Sequence, residues 1–321
     1  MKIISNKCPL CDSNKYIAIE QYGIIGLSQY ECRMVRCFSC NHYYSNTSKN
    51  INFEELYSEG KYKVIDTRGG LFDKLISIDD RLIIWQLSKL KVSKETLLDF
   101  GCGKGQFIHR ALKYKWKVKG IETEKNRANF GINKYGLDIT TREYKTGLVS
   151  GAPFNVITFF HVLEHLPQPK ILLRKLIDNN LTHNGYLVIE VPFFESLQSK
   201  IAGKRWIHLD PPLHISHFTK SSLIKLFCDL NIKPIKYEYF SIHLGILGMV
   251  QSILSLTGYN KKIISELKFR RTKRLIISIL LVLPLAIILE LLAVIFNKGG
   301  VIRVYCKNMT KHNKMINTSL H

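Results

Sequence analysis

Leu97-Leu98-Asp99-Phe100-Gly101-Cys102-Gly103-Lys104-Gly105 sets a short apolar run and an acid directly before three glycines on alternate positions. A short apolar run closed by glycines reads as a buried strand entering a tight turn. Glycine suits that turn because a residue without Cβ takes φ > 0 at little cost and lets backbone N–H groups approach a ligand. Further along, Lys117-Val118-Lys119-Gly120-Ile121-Glu122 reads as a second strand with an acid at its carboxyl end. In a βαβ unit an acid at that place accepts hydrogen bonds from ribose hydroxyls. Glycine loop and acid together point to a cofactor that carries a nucleoside.

The spacing of the glycines narrows the cofactor. A dinucleotide fingerprint, G-x-G-x-x-G, keeps its third glycine for packing beside a pyrophosphate, and a P-loop needs a Lys-Ser/Thr pair. This chain has G-x-G-x-G instead, two residues after Asp99. The arrangement resembles motif I of the class I S-adenosylmethionine (SAM) methyltransferases, whose cofactor has no phosphate; a nicotinamide or other nucleotide fold is the alternative left by the loop alone. Phe154-Asn155-Val156-Ile157-Thr158-Phe159-Phe160-His161-Val162-Leu163-Glu164-His165-Leu166-Pro167 is similar to the fourth strand and following turn of one branch of those enzymes. That branch holds the quinone-biosynthesis O-methyltransferases and the type 11 and type 23 methyltransferases. Asn184-Gly185-Tyr186-Leu187-Val188-Ile189-Glu190-Val191-Pro192 is similar to its fifth strand. The resemblance spans residues 75 to 240 or so.

The resemblance implies a Rossmann-like α/β fold with a seven-stranded, mostly parallel sheet and SAM as cofactor. It also implies roles: Arg81 for the methionine carboxylate, Asp99, Gly101, Gly103 and Gly105 for the loop, Glu122 for the ribose, and Phe160 beside the adenine or sulfonium. A guanidinium fork suits a carboxylate. Asn155 stands where the branch commonly has Asp, a position read here as structural. An Asn/Asp-Pro-Pro-aromatic motif, used by amino-methylating enzymes, does not follow strand four. Asp210-Pro211-Pro212-Leu213 imitates it only after strand five. Transfer to oxygen or carbon is therefore favoured over transfer to a nucleobase nitrogen.

Cys8-Pro9-Leu10-Cys11 and Cys37-Phe38-Ser39-Cys40 form two C-x-x-C knuckles among eight cysteines. Four thiolates at Cys8, Cys11, Cys37 and Cys40 suit one structural tetrahedral Zn²⁺, with Cys32 and His42 as spare ligands. Redox pairs are the other use of such knuckles. Zinc ribbons of this kind resemble those that accompany sugar C-methyltransferases.

For catalysis, methyl transfer is an in-line displacement at a sulfonium, and an oxygen or activated carbon acceptor must lose a proton. His161, Glu164 and His165, on the turn beyond strand four, are the candidates, with a histidine as base and Glu164 orienting it, or with Glu164 and His165 holding a divalent metal. The other reading is a structural turn. His214 and His217, in a cluster with Trp206, His208 and Asp210 after strand five, are weaker candidates.

At 321 residues and 46% hydrophobic content the chain accommodates a full α/β core and further modules. We divide it into a zinc ribbon (1–49), a helical linker and lid (50–95), a SAM-binding core (96–240), an apolar and basic helical insertion (241–298), a last core strand (299–308) and a polar tail (309–321). A formal charge of +22 suits an anionic partner. Leu275–Phe296 is long enough to span a bilayer, yet Gly300–Lys307 reads as a strand returning to the sheet, which excludes a single crossing. Two apolar helices, 242–256 and 275–296, are therefore expected to dip into the cytoplasmic leaflet while the lysines and arginines between them meet anionic headgroups. A buried subdomain or a dimer interface between copies of the chain is the other reading. The N-terminus shows no apolar leader, so the catalytic body is expected in the cytoplasm. Three functions fit: an O- or C-methyltransferase acting on a small-molecule, sugar or lipid-linked acceptor at the membrane face; an RNA methyltransferase docking through the ribbon; or a non-catalytic SAM-fold membrane protein.

Overall fold

The computed structural model describes residues 2–3, 7–22, 24–25, 32–47, 51–52, 70–92, 95–142, 144, 147–269 and 272–309. The expected linker lies partly outside them, over 53–69, as does the polar tail beyond Met309.

The N-terminal segment supplies six short strands: β1 (Lys2–Ile3), β2 (Tyr16–Ala18), β3 (Ile24–Ile25), β4 (Cys32–Cys37), β5 (Tyr43–Thr47) and β6 (Ile51–Asn52). β4 is central, pairing antiparallel with β2, β3 and β5, while β1 pairs with β6. After α1 (Leu71–Ser88) comes the main sheet, with β7 (Thr96–Phe100), β8 (Lys117–Ile121), β9 (Ile139–Thr140), β10 (Phe154–Phe160), β11 (Leu181–Pro192), β13 (Ile232–Glu238) and β14 (Val301–Asn308). Between its parallel strands run α2 (Gln106–Lys113), α3 (Lys125–Tyr135) and α4 (Pro169–Asn180).

The strands lie in the order β13-β14-β11-β10-β7-β8-β9, with only β14 antiparallel to its neighbours. This is the seven-stranded, mostly parallel Rossmann-like sheet expected from the sequence. β10 is buried along nearly its whole length, as a central parallel strand covered on both faces must be. Alternate residues feed two cores. Leu97, Val156, Val188 and Tyr305 pack with Ile84, Leu87, Ile108 and Trp116 on one face. Leu98, Ile157, Phe159, Leu187 and Val304 pack with Leu173, Leu176, Leu226 and Phe227 on the other. The chain leaves β7 toward β8 and β9, then returns to place β10 on the opposite side of β7. The crevice for a ligand opens outside the carboxyl ends of β7 and β10, where the order reverses.

Two features tie the flanking modules to this sheet. Between β11 and β13 the chain runs through α5 (Leu197–Ala202), the two-residue strand β12 (Ser216–His217) and α6 (Lys220–Asp229). β12 pairs with β5, so the loop after the fifth core strand supplies the edge of the N-terminal sheet. Cys8, Leu10, Cys37 and Tyr44 accordingly share one core with Phe193 and Phe218.

Between β13 and β14 lie α7 (Ile242–Leu256), α8 (Ile263–Phe269) and α9 (Lys273–Ile295). The expectation that both long apolar helices leave the protein is corrected. α7 packs against α1, α5 and α9 and buries Met249, Val250, Gln251, Ser252 and Leu254. Its glycines set the distance: a Cβ at Gly248 would lie 2.2 Å from Gln198 Oε1, and one at Gly245 2.7 Å from Glu290 Oε1. α9 differs, for Ile277, Leu280, Leu281, Ile288 and Ile295 stand exposed along it.

Candidate functional site

β7 ends at Phe100, and the glycines then turn the chain into α2 with φ of +75° at Gly101, +57° at Gly103 and +72° at Gly105. All three lie in the left-handed region that disfavours side chains. Space forbids them as well: a Cβ at Gly101 would sit 2.4 Å from Val162 Cγ2, and one at Gly105 2.3 Å from Leu137 Cδ1. Glu122, at the end of β8, is buried and accepts hydrogen bonds from the Gly103 and Glu124 amides at 2.9 Å each. Each carboxylate oxygen keeps a second lone pair, so the group can hold the loop and still accept from two hydroxyls. A cradle this close to backbone amides, whose loop lacks the Lys-Ser/Thr pair of a phosphate site, fits a nucleoside joined to a group without phosphate.

Asp99 faces Thr158 across the β7–β10 pair and accepts its hydroxyl hydrogen bond at 2.6 Å. Burial, with the Asp80 and Glu122 carboxylates nearby, pushes its pKa up to about 7, against the lowering effect of Thr158. It therefore supports the loop from beneath. Phe160 meets Phe107 of α2 edge to face, with ring centroids 4.9 Å apart, and so lines the crevice. Arg81 stands on the exposed side of α1, next to Asp80, which pairs with Arg110.

The turn after β10 is where the sequence candidates gather. His161 has φ +56°, an uncommon conformation for a side-chain-bearing residue, which over-determined surroundings must hold. Those surroundings are carboxylates: Nε2 lies 2.9 Å from Glu190 Oε1 and Nδ1 3.4 Å from Glu164 Oε1. Burial alone would lower the imidazole pKa, but the two carboxylates outweigh it and push it up to about 10. Both ring nitrogens face carboxylates, Nε2 hydrogen-bonded to Glu190 and Nδ1 opposite Glu164, so in this arrangement His161 is a positioning residue and is not set up as the expected general base. It positions Glu164.

The carboxylate chain continues inward. Arg303 of β14 pairs with Glu190 and, at 3.0 Å, with Glu238 of β13. Sequence reading missed this network, although Glu190 and Arg303 each interrupt an otherwise apolar strand, and a charge in a buried run needs a partner.

His165 and His214 are brought together, their rings 4.7 Å apart edge to face. His165 Nδ1 donates to the Leu213 carbonyl at 3.0 Å and His214 Nδ1 to the His208 carbonyl at 2.6 Å. Burial lowers the His165 pKa to about 4, so its ring is neutral. His217 is not with them. It sits in β12, buried, with Nε2 2.8 Å from Ser45 Oγ of the N-terminal sheet. That contact is structural, which corrects the expectation that His217 serves catalysis. Trp206 and His208 are buried as well, with rings 5.3 Å apart.

At the N-terminus the four knuckle thiols converge. Cys8 Sγ lies 3.5 Å from Cys40 Sγ and Cys11 Sγ 3.5 Å from Cys37 Sγ, and all four sulfurs lie within 4.8 Å of one another. A tetrahedral ion with Zn–S bonds of about 2.3 Å holds its sulfurs about 3.8 Å apart, so the donor set fits. Cys32 and His42 lie outside this group; the His42 ring is buried against Phe218, 5.2 Å between centroids.

Residues 80–236 match a family model described as a methyltransferase domain. No curated protein matches the chain. Among solved structures, a SAM-dependent methyltransferase from Archaeoglobus fulgidus is similar at 17% identity and a TM-score of 0.45, over 74% of this chain and 97% of that one. The O-methyltransferase from a trans-AT PKS multienzyme of Brevibacillus brevis, in complex with S-adenosyl-L-homocysteine, is similar at 14% identity and a TM-score of 0.47, over 74% of each chain. The plantazolicin methyltransferase BpumL, in complex with a triazolic analogue and the same product, is similar at 16% identity and a TM-score of 0.46, over 76% and 88%.

Proposed function

We propose, from the premise that residues 80–236 are a SAM-dependent methyltransferase domain, that the protein methylates an oxygen or carbon of a small-molecule, sugar or lipid-linked acceptor at the cytoplasmic face of a membrane. The observation that carries this reading is the adjacency of donor cradle and polar turn: Gly101 of the glycine loop lies against Val162, inside the run His161–His165. A methyl group held by the loop is thereby within reach of an acceptor held at the turn.

SAM, when bound, supplies an electrophilic methyl on a sulfonium. The chain's own part is to bind the nucleoside at Glu122, to take the methionine carboxylate at Arg81, and to fix the acceptor in line behind the methyl. The cluster of Glu164, His165 and His214 belongs to the acceptor side, because it joins the β10 turn to the loop after β11. In this reading the four-thiol group holds structural zinc and orders that same loop through β12.

Membrane association draws support from α9. Its 23 residues have a mean hydropathy of 2.9 over an 18-residue window that is only 17% buried. Lys273 and Arg274 open the helix, and Lys261, Lys262 and Lys268 precede it. An apolar helix lying in one leaflet with cations at headgroup level matches that pattern. Envelope glycan or lipid and quinone synthesis are the settings where such acceptors occur.

Purified protein incubated with methyl-labelled SAM and with extracts split into lipid, polysaccharide, small-molecule and RNA pools tests the proposal. Label is expected in the lipid or saccharide pool, at oxygen or carbon. Label confined to RNA would overturn the acceptor class, and loss of all labelling in the presence of measurable SAM binding would overturn catalysis.

A further inference from the structure

We infer that Glu164, His165 and His214 form a second metal centre, separate from the four thiols, which binds a first-row divalent cation and presents it to an acceptor oxygen. Each of the three brings one ligand-capable atom within 4.8 Å of the others. The grouping is built by the backbone. The Ile215 N–H donates to the Glu164 carbonyl at 2.8 Å, and His165 donates to Leu213, so the β10 turn and the loop after β11 are stitched together on both sides of His214.

The histidines are held in the state a metal requires. A carbonyl oxygen only accepts, so Nδ1 carries the hydrogen in both His165 and His214. With Nδ1 engaged by a carbonyl, Nε2 is the nitrogen that each ring has left to offer a metal. Donation of the far N–H to a carbonyl is the arrangement that orients ligating histidines and raises their basicity.

The carboxylate independently points to an ion. Glu164 is 1% exposed, and among the described residues neither of its oxygens makes a hydrogen bond of good geometry. His161 opposes it only as an ion pair at 3.4 Å. A buried charge without hydrogen bonds is costly, and a cation between it and two imidazoles supplies the missing partner.

Two nitrogens and one oxygen suit zinc, iron, manganese or cobalt better than calcium or magnesium, which take oxygen ligands. Three protein ligands leave coordination positions open, unlike the closed four-thiol group. Glu164 and His165 follow Val162, the residue that lies against Gly101 of the donor loop. Its catalytic use rests on the methyltransferase reading, whereas the binding of metal does not. In that use an ion-bound hydroxide takes the acceptor hydroxyl's proton and departs as water. The resulting alkoxide, bound to the ion, forms the C–O bond as the C–S bond breaks with its electron pair to sulfur, giving the methyl ether and neutral S-adenosylhomocysteine. The centre thus selects oxygen acceptors.

Cobalt(II) loading of the full, metal-stripped chain tests the inference. Four thiolates give strong sulfur-to-cobalt charge-transfer bands, while a nitrogen and oxygen set gives only weak visible bands, so the two sites are read separately. Two cobalt ions per chain are expected, falling to one in Glu164→Gln and in His214→Ala, with the thiolate bands retained as evidence of folding. A wild-type chain that binds cobalt with the strong thiolate bands alone, at one ion per chain, would overturn the centre. Two ions, with methyl transfer unaffected by removing the weakly absorbing one, would overturn its role in catalysis while leaving SAM binding and the methyltransferase reading intact.

Discussion

Glu122 concentrates the donor chemistry in one side chain. Replacing it with Ala removes an acceptor for ribose and leaves the Gly103 and Glu124 amides without their partner. The expected loss is about 3 kcal/mol or more of SAM binding, over a hundredfold in Kd. Calorimetry checks it, and unchanged affinity would show that the cradle holds something else. Asp99 makes a prediction in pH. Its carboxyl is raised in the folded chain to about 7, against about 3.9 unfolded. The folded state therefore binds the proton more tightly, and this residue's contribution to stability is intact below about pH 4 and lost as pH rises toward 7. Asp99→Asn keeps an acceptor for Thr158 but cannot ionise. Its melting temperature relative to wild type should climb between pH 5 and 8; a constant offset would place the titration elsewhere. At this scale the loop, Glu122 and the thiols were legible, because glycine spacing, strand-terminal acids and C-x-x-C pairs are local patterns. The pairing of His161 with Glu190 was not, because it depends on which strand lies beside β10.

Among the elements, the strands of the core were readable from their apolar runs, and α7 was readable as a helix but not as a buried one. Its sequence, Ile242 to Leu256, has the composition of a membrane helix. What keeps it inside is Asp79 of α1, whose carboxylate accepts from the Ile242 amide at 2.9 Å and pairs with His243 at 2.6 Å. That acid caps the helix N-terminus, where an anion is favoured. Among the described residues α9 is capped by its own Thr272, which accepts from the Leu275 amide, and not by an acid of another helix, and Leu281 is 77% exposed. Leu281→Glu together with Leu285→Glu should leave the melting temperature nearly unchanged, since exposed positions shift stability by only about 0.5 kcal/mol. Flotation with anionic vesicles should fall sharply. Undiminished flotation would show that α9 does not carry vesicle binding.

For the molecule as a whole, the N-terminal sheet shares a core with the seven-stranded sheet and takes its edge strand β12 from the loop after β11, so the N-terminal segment is not an appended module. Ser45 N–H donates to the Ile215 carbonyl at 2.8 Å, and Ile215 is the residue that holds Glu164. On the proposal that the four thiols hold zinc, Cys11→Ser should lower the metal content and the melting temperature and reduce acceptor methylation by about a hundredfold through misplacement of that loop. SAM affinity should persist, because Gly101–Gly105 and Glu122 lie in another part of the sheet. Parallel loss of both activities would mean that the whole fold depends on the metal. The two-residue β12 carried no periodic signal, so this union could not be read from the sequence.

The position of β14 sets an order on synthesis. Among the described residues β13 pairs only with β14, and β14 alone covers the edge of β11. Neither pairing can form until residues 301–308 have left the ribosome, after α7, α8 and α9. At about 5–20 residues per second the intervening stretch of roughly sixty residues takes several seconds to emerge. During that interval an apolar strand edge and the most hydrophobic helix of the chain are exposed together, and non-local closure of this kind is slow. A nascent chain that rests α9 on a lipid surface during this window would complete its sheet already at the membrane.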